Sequence, residues 1–100
     1  MIDFLRDINI SEQDIKRIKE YNSEPSICNL SCNSINCLKI INYLKEIGVD
    51  NIVDLLTYEM DIFLLTFSDF IKKIRFFNIP VFVNAVNDDY NIIREIYNVD

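Results

Sequence analysis

The sequence predicts an all-α fold, a compact array of short helices joined by polar links, and three observations carry that expectation. Apolar residues recur at helical spacing, most clearly from Asn33 to Ile47. One glycine, Gly48, and two prolines, Pro25 and Pro80, are too few for the many tight turns of a barrel or sandwich. The single strand-like run, Ile62 to Phe67, has no second run to pair with. With 100 residues, 50% of them hydrophobic and 26% charged, a single all-helical domain spanning 1–100 is expected.

The elements follow in order. A short helix runs through Phe4 and Leu5 to a break near Asn9, and Ser11 caps a second helix with Ile15 and Ile18 inside. The segment from Asn22 to Asn33, rich in Ser, Glu, Pro and Asn, reads as the one extended connection. Ile35, Leu38, Ile41 and Leu44 then share a helix face that Cys37, Ile40 and Ile47 widen. Asn33 or Ser34 would accept the first amide hydrogens of that helix, and Gly48 sits where a left-handed residue would close it. Asp50 would cap a short helix carrying Ile52, Val53, Leu55 and Leu56 to about Tyr58. Ile62 to Phe67 is read as a short helical turn.

Ser68 and Asp69 are the expected cap of the next helix, with Phe70, Ile71, Ile74 and Phe77 inside and Lys72, Lys73 and Arg75 outside. Pro80 suits the first turn of a helix from Val81 to Asn87. Asp88 or Asp89 starts the last one, with Ile92, Ile93, Ile96 and Tyr97 as its apolar stripe.

Charge and composition narrow the function classes. A net charge of −6 argues against a mainly electrostatic grip on nucleic acid or anionic lipid. No apolar run approaches the roughly 20 residues that span a bilayer. Asp3 and Asp7 spoil a signal or transit peptide, so no membrane association and a cytoplasmic location are expected. Abundant Ile, Asn, Lys and Tyr suggest an AT-rich genome, a bias that weakens any reading of an individual asparagine.

Cys28, Cys32 and Cys37 are odd in number, which speaks against a disulfide framework, and no histidine is present to complete a zinc site. Cys28 and Cys37 are expected to pack as small apolar residues. Without histidine, a Gly-rich phosphate loop or a nucleophile elbow, neither an enzyme nor a cofactor is expected. The one adjacent acidic pair, Asp88-Asp89, is explained by a helix start.

Three segments align as helix end, Gly or Asn stop, aliphatic residue and shorter helix: Phe4 to Ile10, Tyr43 to Val49, and Lys73 to Ile79. A further turn follows the first two short helices, at Pro25-Ser26-Ile27 and at Asp61-Ile62-Phe63-Leu64. This unit resembles the helical repeat of the mitochondrial transcription termination factor family, best from Leu44 through Gly48 to Leu55-Leu56, with Pro25 in the motif's proline place one unit earlier. Asn9 and Asn78 replace the motif's glycine, and Asp61 its second proline. The resemblance covers most of the chain as two to three helix–turn–helix-like repeats. It implies nucleic-acid binding on a basic concave face, for which Lys16, Arg17, Lys19, Lys72, Lys73 and Arg75 are the candidates.

Read from the residues themselves, an acidic surface with apolar residues at an edge points first to docking on a protein partner or to self-association. Phe76 and Phe82 are the aromatic residues expected to stand exposed as anchors.

Overall fold

The computed structural model describes residues 2–98, and among them every regular element is helical, as the periodicity predicts. A 3-10 helix η1 (Asp3–Ile8) leads into α1 (Glu12–Tyr21), α2 (Glu24–Cys32), α3 (Ser34–Glu46) and α4 (Ile52–Tyr58). The chain continues through η2 (Met60–Leu64), α5 (Phe67–Ile74), α6 (Ile79–Asp88) and η3 (Tyr90–Asn98). The helices enclose one hydrophobic core, in which Phe63 and Phe70 are the bulkiest fully buried side chains.

Local chemistry explains most of the boundaries. Four helices start on a side chain that accepts the amide hydrogen three residues on: Ser11 from Asp14, Ser23 from Ser26, Thr66 from Asp69 and Asn78 from Val81. η1 and α3 both end on a left-handed residue, Asn9 at φ 67° and Gly48 at φ 104°. The same bonding closes both: Ile10 N donates to Leu5 O at 3.2 Å, and Val49 N to Leu44 O at 2.9 Å.

Several expectations are corrected. The extended connection is a helix, α2: Ser23 caps it, Pro25 occupies its first turn, and Ile27 and Leu30, three apart, face the core. α3 buries Cys37, Ile40, Ile41 and Leu44 of the expected face, with Leu38 and Ile47 half-buried, but Ile35 at the edge of that face stands 73% exposed. Neither end residue caps α3, because Asn33 turns back to donate to Asn29 O at 2.8 Å and closes α2 instead. Asp50 does not cap α4, which begins after Asn51 without a side-chain cap; the Asp50 amide donates to Asn87 Oδ1 at 3.0 Å. α5 starts on Thr66, two residues before the expected cap. Asn78 is no left-handed stop: at φ −72° it is the N-cap of α6. The final helix has three residues per turn, which stacks positions three apart on one side. Tyr90, Ile93 and Ile96 therefore meet the core, and Tyr97 is turned out at 41% exposure.

Asparagine side chains tie neighbouring helices. Asn22 Nδ2 donates to Thr57 O at 3.0 Å, joining α1 to the end of α4. Asn36 bridges α3 to the start of α5, donating to Leu65 O and accepting from Phe67 N at 2.5 Å. Asn51 donates to Val86 O at 2.8 Å, which fixes α6 against the α3–α4 corner.

Candidate functional site

The corner between α5 and α6 carries the most exposed aromatic residue. Phe70 and Ile74 set the buried side of α5, and continuing that spacing by three residues brings Phe77 inward. Phe77 meets Phe82 edge-on, ring centroids 4.7 Å apart and planes at 88°. Phe82 is thereby buried, at 7% exposure, contrary to its expected role as an anchor. Phe76, on the tight turn between, points the other way and is 71% exposed, as expected; Val81 in the first turn of α6 is 66% exposed. A shallow hollow of about 210 Å³ is lined by Phe76, Asp69, Lys72 and Lys73. Lys72 and Arg75 are exposed beside it, so positive charge outweighs the one carboxylate.

The second basic group, on α1, is largely matched by acidic side chains. Arg17 donates to Asp54 Oδ1 at 2.8 Å and lies 5.9 Å over the Tyr58 ring. Lys16 is 4.0 Å from Glu20, and Lys19 stands exposed on the same helix. The two groups have different supports: α1 packs on α4 and η1, whereas α5 packs on α3 and η3.

A row of tyrosines that sequence reasoning did not single out crosses three elements. Tyr21 meets Tyr58 edge-on at 5.1 Å, and Tyr58 stacks on Tyr90 at 5.1 Å with the rings 22° apart. Desolvation, aided by Tyr21, raises the pKa of Tyr58. At the same end of α4, Glu59 is buried with its carboxylate 2.5 Å from Arg94 Nε, and burial raises its pKa against the pull of that guanidinium. No local pattern could reveal the row, because its members are distant in sequence.

The remaining polar chemistry is dispersed. Asp89 accepts from the Asn91 amide at 3.0 Å at the start of η3, the helix-start role expected of it. A hollow of about 570 Å³ lies between the Asn9 and Gly48 corners and includes Asp50 and Asp54, the latter tied to Arg17. Among the described residues, no three His, Cys, Asp or Glu side chains are grouped to hold a metal ion. Cys37 is fully buried, and desolvation pushes its thiol up to about 12. Cys28 and Cys32 are exposed on α2, which corrects the packing role expected of Cys28.

Among the described residues, no helix is long and apolar enough to cross a membrane. In comparisons with known proteins, the chain matches no family model, no curated protein and no solved structure.

Proposed function

We propose that the chain is a non-enzymatic binding module that docks a protein partner through the corner between α5 and α6. The observation that carries this reading is Phe76, a large aromatic side chain left 71% exposed beside Lys72, Lys73 and Arg75. Its neighbours define the partner by charge complementarity: a protein segment that presents an apolar side chain among carboxylates. A second copy of this chain, acidic overall at −6, is the alternative occupant, and light scattering over a concentration series distinguishes it. Three thiols suit a reducing compartment, and we place the module in the cytoplasm.

The termination-factor resemblance supports a second reading, nucleic-acid binding by the α1 and α5 cations. It ranks lower because Arg17 is engaged by Asp54 and Lys16 is near Glu20, which leaves less free positive charge for phosphates. The test is selection from a displayed peptide library against the folded chain, counter-selected with Phe76→Ala. Enrichment of acidic, apolar-anchored peptides that the variant fails to retain is expected. Enrichment independent of Phe76, or tight salt-sensitive binding of RNA or DNA in its place, would overturn the reading.

A further inference from the structure

Cys28 and Cys32 stand four residues apart on α2 and both are exposed, whereas Cys37 is buried. The third thiol belongs to the core, and the first two lie outside it. We propose that Cys28 and Cys32 are a two-thiolate chelate for one monovalent, thiophilic d10 cation of the Cu(I) class. The inference is independent of the docking reading, since α2 contributes nothing to the Phe76 corner.

Spacing carries the argument. Residues at i and i+4 lie on one side of a helix with Cβ atoms about 5–6 Å apart. A disulfide needs roughly 3.5–4.5 Å between the same atoms, so an intact α2 resists closing one. Thiolate–metal bonds of about 2.3 Å, the value for zinc, let a single ion span two sulfurs about 4.6 Å apart, which side-chain rotation on a helix provides. α2 is held in register for this: Ser23 caps its start at 3.3 Å from the Ser26 amide, and Ile27 and Leu30 anchor its opposite side in the core.

The donor set decides the class of ion. Two sulfurs and, among the described residues, no third grouped His, Cys, Asp or Glu suit a soft cation content with two ligands, in preference to four-coordinate zinc or an oxygen-seeking cation. On binding, each thiol releases its proton to water and each sulfur forms one bond to the ion; nothing is oxidised or reduced. Both residues are exposed on α2, so the ion can be exchanged with another carrier.

The experiment is an anaerobic titration of the reduced full chain with Cu(I) against a chromogenic Cu(I) chelator, with native mass spectrometry for stoichiometry. One ion per chain is expected, weakened at least tenfold in Cys28→Ser and in Cys32→Ser. The paired variant Cys28→Ser with Glu24→Cys keeps the thiol count but sets the exposed sulfurs about 12 Å apart along the helix at 1.5 Å per residue. It should lose binding to the same extent while circular dichroism shows unchanged helicity. Retention of full affinity by that variant, an ion shared between two chains, or failure to compete with the chelator would overturn the proposal.

Discussion

Asn87 Nδ2 donates to the carbonyl oxygen of Gly48 across 3.1 Å, while Asn87 Oδ1 accepts from the Asp50 amide at 3.0 Å. One side chain of α6 therefore satisfies both sides of the loop that ends α3 and opens α4. Val86, its neighbour, accepts from Asn51 at 2.8 Å, so this corner is fixed by polar bonds as well as by the core. Asn87→Ala removes two of these bonds, each worth about 0.5–1.5 kcal/mol. A loss of about 1–3 kcal/mol in urea unfolding is expected, with circular dichroism of the folded state unchanged.

Gly48 itself is expected to resist substitution for a backbone reason. Its φ of 104° lies where side chains are strained, while an added Cβ would meet Val83 Cγ1 at an ordinary 3.6 Å. Gly48→Ala should therefore cost about 1–2 kcal/mol, the penalty of the left-handed conformation. Trimming Val83 to Ala in the same chain should not restore it; restoration would mean that crowding is the cause.

Glu59 gives a pH dependence with a definite sign. Burial, opposed by Arg94, raises its folded pKa above the ordinary 4.5, so the folded state holds the proton more readily than the unfolded state does. Stability from this group falls as pH rises through the interval between the two values. Glu59→Gln is expected to be more stable than the parent at pH 7, with the difference fading as the pH drops below about 4. Glu12 acts the other way, because the Arg6 hydrogen bond lowers its pKa and its contribution is lost in acid. Unfolding midpoints of both proteins from pH 3 to 7 measure the difference, and a gap that widens in acid would contradict the assignment.

The three thiols should divide two to one. Cys37, fully buried and pushed up to about 12, stays protonated at neutral pH, whereas Cys28 and Cys32 face solvent. Two rapid modifications by a thiol reagent are expected in the native chain, and the third only on unfolding. Three equally fast reactions would place Cys37 at the surface.

Helix class and several boundaries were legible because they depend on nearest neighbours: Ser11 and its amide partner at a start, or Gly48 after Leu44 and Ile47 at a stop. α2 was hidden by its composition, since the Ser, Glu, Pro and Asn that read as a linker are also what begins a helix. The exposure of Ile35 depends on how α3 is rolled against η2 and α5, which the period alone does not fix. Phe76 and Phe82 were indistinguishable in sequence; the contact of Phe82 with Phe77 separates them. Asn22, Asn36, Asn51 and Asn87 were discounted as compositional bias, yet each bonds backbone distant in sequence.

Docking depends most directly on Phe76, and the deciding measurement is the affinity of a selected acidic, apolar-anchored peptide for the parent chain, Phe76→Ala and Lys72→Glu/Lys73→Glu. Phe76→Ala should weaken binding at least tenfold, as expected of an anchor worth about 1.4 kcal/mol or more, without shifting the unfolding midpoint. The double lysine variant should weaken binding and flatten its salt dependence. Equal affinity of parent and Phe76→Ala would contradict the docking reading.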